Sequence, residues 1–316
     1  MYRSLGLFAA LAIAACGGPR SADRSSITVF NAGALALPLR QALDSFAPRH
    51  GLTVSQESAG SIESARKLTD LGRIPDVLAL ADTALFSKLL PGRLDGPIAV
   101  LGRSRLVLAY TARSRFAAEV TPQNWTDLTT RPGVQVGRSD PALDPAGYRA
   151  LLAMHLAERY YRQPGLARRL EAAAPAADMR PKSADLVALL QTGNLDYAWE
   201  YESVARRLGL RFISLPREVD LGDPALAATY AEATVHIPLS GPAANRDSTA
   251  LGPRSLVMHG APIVFGAAVP KGAPNAAAGT AFVTYLMSSE GRAIFAEYGL
   301  GGPVGTGAAD TSRGGK

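Results

Sequence analysis

The sequence predicts an α/β fold built on open, mostly parallel sheets, and three observations carry that prediction. Short apolar or β-branched runs alternate with amphipathic helical stretches along most of the chain. At 316 residues and 33.0 kDa, the chain exceeds one small domain and suits two of ordinary size. A hydrophobic content of 47% is ordinary for a globular protein and excludes wholesale disorder.

The first element is an address. Arg3 precedes an apolar stretch, Leu5–Ala15, which ends in small residues before Cys16. A helix over that stretch would rise only roughly 16 Å, about half a hydrocarbon core, so it reads as a signal segment over residues 1–16. The ending Ile13-Ala14-Ala15-Cys16 resembles a bacterial lipobox, which implies acylation of Cys16 and a lipid anchor; an ordinary secretory signal with a chance cysteine is the other reading. Residues 17–26, GGPRSADRSS, read as a flexible tether.

The body follows in order. Ile27–Phe30 reads as a strand, followed by a helix over Leu37–Phe46. Leu52–Gln56 is a strand, Ser61–Leu71 a helix stopped by Gly72, and Asp76–Ala81 and Leu106–Tyr110 are strands. Gln135–Gly137 leads into a long helix, Pro145–Tyr161. Ser183–Thr192 is a helix ended by Gly193, and Asp196–Trp199, Arg211–Leu215 and Ile263–Val269 are strands. Ala276–Tyr298 supplies one or two closing helices, and residues 306–316 form a polar, Gly-rich tail.

Composition narrows the function. The 33 basic and 27 acidic residues give a net charge of +6. The basic residues are scattered and aromatics are only 7%, which argues against a nucleic-acid groove and leaves an anionic small molecule open. One cysteine excludes an internal disulfide and a CxxC pair, and the four histidines (His50, His155, His236, His259) show no metal-ligand spacing. Ser64 and Lys67 match S-x-x-K, the nucleophile motif of penicillin-recognising enzymes, but the S-D-N and K-T-G elements are missing. A lipoprotein serine hydrolase on that pair is the reading from a different class.

Four helices begin with small or capping residues: after Gly33-Ala34, at Ser61, at Asp144-Pro145 and at Ser183. Such ends expose N–H groups and carry roughly half a positive charge each, so several around one cleft would hold a dianion without Lys or Arg. Every helix needs a cap, so each junction taken alone is also an ordinary cap.

The segments VFNAGAL (Val29–Leu35), ESAGSIESARKLTDLGRIPDVLALAD (Glu57–Asp82), SDPALDPAGYRALLAMHLAERYY (Ser139–Tyr161), RPKSADLVALLQTGNLDYAWEYESVA (Arg180–Ala205) and LPREVDL (Leu215–Leu221) together resemble the tungstate/molybdate-binding proteins of ABC importers, in their archaeal-type branch. The resemblance implies a type II periplasmic-binding-protein fold, with two lobes on mixed, mostly parallel sheets closing over a cleft. One lobe would hold residues 27–110 plus 260–305 and the other 111–259.

Carried over residue by residue, it implies ligand contacts from Gly33, Ala34, Ser61, Asp144, Pro145, Ala146, Ser183 and Tyr201. Asp144 is a possible direct ligand to the tungsten or molybdenum of the bound anion. The family's second carboxylate falls on Ser183 and its first-loop serine on Ala34, so this chain departs from the pattern at both places. A carboxylate repels an intact dianion unless it is protonated or binds the metal directly; tungsten and molybdenum can expand their coordination, and sulfur cannot do so comparably. With Asp144 as the one matching carboxylate, a four- or five-coordinate centre is expected.

The resulting expectation is a lipid-anchored, monomeric, extracytoplasmic binding protein of the cell envelope. It has no cofactor and no catalytic residue, captures tungstate or molybdate, and delivers it to an ABC permease. Sulfate, phosphate or another small oxyanion is the alternative ligand.

Overall fold

A computed structural model describes residues 25–239 and 255–301. The expected signal segment with Cys16, most of the 17–26 tether and the 306–316 tail lie outside the described residues. Among the described residues no helix is long and apolar enough to cross a membrane.

Twelve strands run through the described chain: β1 (Ser26–Ala32), β2 (Thr53–Ala59), β3 (Val77–Leu80), β4 (Leu94–Arg103), β5 (Leu106–Tyr110), β6 (Val136–Ser139), β7 (Met179–Arg180), β8 (Tyr197–Tyr201), β9 (Arg211–Ser214), β10 (Thr234–Pro238), β11 (Ser255–His259) and β12 (Val264–Pro270). They form two five-stranded sheets, ordered β2-β1-β3-β12-β4 and β7-β6-β8-β5-β9, and a two-stranded ribbon, β10-β11. This is the two-lobed α/β architecture, one sheet to each lobe.

Both sheets are mixed. In the first, β1 runs parallel to β2 and β3, while β12 is antiparallel to β3 and β4. In the second, β6 runs parallel to β7 and β8, while β5 is antiparallel to β8 and β9. The antiparallel pairs arise where the chain crosses between lobes, because β12 and β5 each enter a sheet from the opposite side.

The central strand β3 is apolar throughout, as a strand covered on both faces must be: all of Val77–Leu80 is buried. The helix Ala36–Phe46 buries Leu39, Leu43 and Phe46 against the first sheet, and the helix Ser61–Asp70 buries Ile62, Ala65 and Leu68 at helical spacing. Strand β4 carries no clear strand pattern in the sequence. Gly96, at φ +92°, and Pro97 interrupt it where its register with β12 shifts, the place a sheet tolerates both residues.

Strand β5 belongs to the second sheet, so the first crossing falls at Ser104-Arg105 rather than beyond residue 110 as expected. The crossings are stitched together by one loop. Leu106 N–H donates to the Asp220 carbonyl at 2.8 Å, and Ile263 N–H donates to the Leu221 carbonyl at 2.9 Å. Arg105 adds a bidentate pair with Glu202, at 2.6 and 2.9 Å.

Across the cleft the lobes meet closely at one backbone position. The Leu143 carbonyl of the second lobe accepts from Ile62 N–H at 3.0 Å and Glu63 N–H at 3.3 Å, the first turn of a helix in the first lobe. Gly60 makes room for it, since a Cβ there would lie 2.2 Å from that carbonyl oxygen. Its φ of −65° is open to any residue, so space alone demands glycine. Gly60→Ala should therefore push Leu143 off the helix and cost about 1–3 kcal/mol, read as a lowered melting temperature; an unchanged melt would refute this account of the contact.

Candidate functional site

The site is built where helix starts from the two lobes converge. In the first lobe, Asn31 is fully buried at the end of β1, bonded to Ser58 Oγ at 2.9 Å and accepting from Gln56 Nε2 at 3.0 Å. That network fixes the strand ends from which Gly33 and Ser61 start. Ser61, also fully buried, accepts the Ala81 N–H on its Oγ at 2.9 Å. A hydroxyl that accepts from an N–H keeps its own proton to donate.

The second lobe supplies most of the polar groups. Asp144 caps the helix Pro145–Tyr161: its Oδ1 accepts from Ala146 N–H at 3.1 Å, and its Oδ2 accepts from Ser183 N–H at 2.7 Å. One carboxylate thus ties together the starts of two helices, Pro145–Tyr161 and Ala184–Thr192. Pro145 occupies the first helical position, where its missing N–H costs nothing. Burial nevertheless outweighs the two N–H donors and pushes Asp144 up to about 6.

Glu200 is the group that the sequence reading missed. It lies on β8, with its Oε1 accepting from Tyr201 N–H at 2.8 Å and its Oε2 buried without a hydrogen-bond partner. The Ser183 hydroxyl beside it favours its charge, and the Asp144 carboxylate opposes it. Burial dominates and raises Glu200 to about 8. A second carboxylate therefore stands in the site, although not at the expected position: Ser183 begins a helix, and the acid comes from the neighbouring strand. Asp144 remains the one carboxylate at a position matching the resemblance, and Glu200 adds a buried acid beside it. The signal in the sequence was an acidic residue inside Tyr197–Tyr201, a strand buried at every position. Asp185 stands aside, 3.6 Å from Lys182.

The end of β8 sends Glu200 toward Ser183 and Tyr201 toward the helix Pro145–Tyr161. Tyr201 is fully buried, and its hydroxyl accepts from Arg149 Nη1 at 2.8 Å. Burial pushes its pKa far above the ordinary 10, so the hydroxyl stays protonated. Arg149, whose charge favours ionisation of Asp144, is the other group that went unmarked in the sequence.

The structure thus brings Asp144, Ala146, Ser183 and Tyr201 together in the second lobe, and the Leu143 carbonyl holds the start of the helix Ser61–Asp70 against that lobe. Gly33 and Ala34 line a cavity shared with Ala184 and Ser203 of the second lobe. A Cβ on Gly33 would lie 3.2 Å from Lys182 Cδ and 3.5 Å from Ala184 Cβ, across the cleft. The Ala146 amide, expected to face a ligand, is engaged by Asp144. No group of three or more His, Cys, Asp or Glu side chains among the described residues is placed to hold a metal ion.

The hydrolase constellation does not form. Ser64 Oγ is buried without a partner, and Lys67 is ion-paired with Glu57 at 2.8 Å and Glu63 at 3.0 Å. Burial works to lower the Lys67 pKa, but the two carboxylates outweigh it and the pKa rises. A lysine held in its charged form cannot take a proton from serine.

The candidate site is thus a set of polar groups gathered where two lobes meet. The chain belongs to the bacterial extracellular solute-binding protein family, whose profile matches residues 27–301. It is 35% identical over 275 residues to an uncharacterized solute-binding protein of Petrotoga mobilis, covering 86% of this chain and 82% of that one. It is 31% identical over 300 residues to the molybdate/tungstate-binding protein WtpA of Pyrococcus abyssi, covering 86% and 83%. The sulfate-binding protein SubI of Mycobacterium tuberculosis shares the fold, with a TM-score of 0.61 at 14% identity over 87% of this chain and 86% of that one. The family is one of binding proteins, and the chain is not an enzyme.

The raised carboxyl of Glu200 has a sign that can be checked. Its ordinary pKa is 4.5 and its folded one about 8, so between those values the folded state holds a proton that the unfolded state releases. Stability from this group is therefore present at acid pH and lost as pH rises toward 8. In unliganded protein, Glu200→Gln should gain on wild type between pH 5 and pH 8 by a few kcal/mol, since each tenfold change in proton affinity is worth about 1.4 kcal/mol. Parallel stability curves in urea across that range would contradict the assignment.

Proposed function

We propose that this protein captures molybdate or tungstate between its lobes outside the cytoplasm and delivers the anion to the permease of an ABC importer. The observation that carries this reading is the pair of buried acids, Asp144 and Glu200, beside the Ser61 and Tyr201 hydroxyls, each of which accepts a hydrogen bond and so has its own proton left to give. For an intact sulfate the pair is a liability, because ionised carboxylates repel it. For a metal oxyanion it is an asset, because the metal can accept carboxylate oxygens as extra ligands while Ser61, Ser183 and Tyr201 hydrogen-bond the oxo groups. The likeness to WtpA over most of both chains supports the same class of ligand. With two acids rather than one, the proposed centre gains up to two protein ligands, beyond the four- or five-coordinate expectation.

Gly33 and Ala34 supply backbone from the first lobe, and Pro145 shapes the turn that presents Asp144. Closure is driven by contacts the anion makes with both lobes, since only differential affinity shifts the populations of open and closed forms. Lipid attachment through Cys16 would keep the protein near the permease; the apolar stretch before that cysteine is its support. A Cys16→Ser chain should then leave the membrane fraction for the soluble one in the expressing cell, and unchanged partitioning would remove the anchor.

A phosphate reading has one observation in its favour. A carboxyl raised to about 8, as Glu200 is, is protonated at neutral pH and could donate to an anion without binding a metal. Calorimetry of the full chain with tungstate, molybdate, sulfate and phosphate at one salt concentration separates the two. The expected result is binding of tungstate or molybdate at least a hundredfold tighter than either competitor, about 2.8 kcal/mol. Asp144→Ala should weaken tungstate by more than tenfold while Ser64→Ala leaves it intact. Preference for phosphate, or an indifferent Asp144→Ala, would overturn the reading.

A further inference from the structure

The helix Pro145–Tyr161 packs on the second sheet, yet two of its side chains reach the first lobe. Arg149 Nη1 donates to the Ala81 carbonyl at 2.7 Å, and its Nη2 pairs with Asp82 Oδ2 at 3.2 Å. Tyr148 donates its hydroxyl proton to the same Asp82 oxygen. Ala81 and Asp82 directly follow β3 in the first sheet. Asp82 is itself fixed, with its Oδ1 accepting the Ala84 N–H at 2.9 Å. The ion pair is largely dry: the Arg149 side chain is 3% exposed and that of Asp82 14%. The same Arg149 Nη1 that bonds Ala81 also donates to Tyr201 Oη at 2.8 Å. On its other side the Tyr201 ring meets Phe265 of β12 edge-on, with centroids 5.3 Å apart.

We propose that Arg149 and Asp82 form an interlobe latch that positions Tyr201, so that its hydroxyl becomes a donor to the bound anion only when the lobes are together. The inference rests on the oxyanion reading and adds to it a residue that acts through another. A guanidinium has donors and no acceptors, so the Tyr201 oxygen must accept from it and spend its own proton elsewhere. No acceptor for that proton occurs among the described residues, and the neighbouring acids mark the direction in which the ligand lies. Separating the lobes would strip Arg149 of Ala81 and Asp82 together. A buried guanidinium without its counter-ion is costly, so Arg149 must then turn toward water and leave Tyr201 undirected. Asp82 in the first lobe thereby controls a ligand donor in the second without touching the ligand.

The charged and titratable groups around Arg149 are Asp82, Tyr148, Tyr201 and Asp144. Asp82 forms the interlobe ion pair among them, which makes Asp82→Asn the variant of choice. It is nearly isosteric, retains an oxygen for the Ala84 N–H, and leaves Arg149 in place, so folding is checked by a melt and is expected to survive. The experiment is a double-mutant cycle on tungstate affinity with wild type, D82N, Y201F and D82N/Y201F. Each single change should weaken binding about tenfold, and the double should be no more than about twofold worse than the weaker single, because both remove one arrangement. Losses that multiply to about a hundredfold, or a D82N affinity equal to wild type, would overturn the latch. Interlobe distance supplies the second readout, from spin labels on cysteines replacing exposed Ser87 and Gln191 in a Cys16→Ser chain. D82N should shift the unliganded distribution toward longer distances, and an unchanged distribution refutes the latch even if no oxyanion binds. Wild-type chain that binds none of the four anions would sink the oxyanion reading separately.

Discussion

The arrangement at the cleft depends on keeping acidic groups out of water at the place where helix starts meet. Asp144 has one oxygen on Ala146 N–H and the other on Ser183 N–H, so the two helices of the second lobe begin at a shared carboxylate. Helix starts with their positive dipole ends together would repel one another; a single negative group between them turns that repulsion into a joint. The first lobe is treated similarly, its Ser61–Asp70 helix start being capped by the Leu143 carbonyl from across the cleft. The residue before Asp144 thus closes one lobe onto the other while Asp144 organises its own.

Two hydroxyls are held in the same chemical state by different means. Ser61 accepts from a backbone N–H and Tyr201 accepts from a guanidinium, so both keep a proton to give. Such donors would suit the proposed fully ionised oxyanion, whose oxygens all accept, better than one that carries its own proton. Asp144 and Glu200 are the exceptions, and their raised pKa values place them at the boundary between acid and base near neutrality. A metal centre that takes their oxygens as ligands needs both ionised, whereas a purely hydrogen-bonded anion is better served by protonated acids. The ligand and the protonation state of the pair are therefore one question.

Much of the α/β order was legible because it rests on local pattern. The apolar run Val77–Leu80 and the helix Pro145–Tyr161 are written in periodicity and capping, with Asp144 and Pro145 marking the helix start. Strand β4 was not, because Gly96 and Pro97 break its pattern and only pairing with β12 restores it. Asp144, Ser183 and Tyr201 were named from the segments that carry the family resemblance, and the structure sets them close together. Glu200 lay inside one of those segments and was passed over, since a search for the second acid at a helix start overlooks one arriving from the adjacent strand end. Arg149 and Asp82 were illegible for a plainer reason. Their pairing joins residues far apart in sequence and in different lobes, and nothing local to either marks it.

That long-range pairing bears on how a two-lobed binder avoids closing on nothing. If ion pairing alone favoured the closed form strongly, ligand could add little to the population already closed. A buried pair such as Arg149–Asp82 stabilises weakly on balance, because the loss of hydration offsets most of its attraction. It is nevertheless exacting in geometry, since the two Nη groups of Arg149 must meet three separate acceptors, on Ala81, Asp82 and Tyr201. The pair is thus suited to selecting which closed arrangement forms, leaving the free energy that favours closure to come from the bound solute.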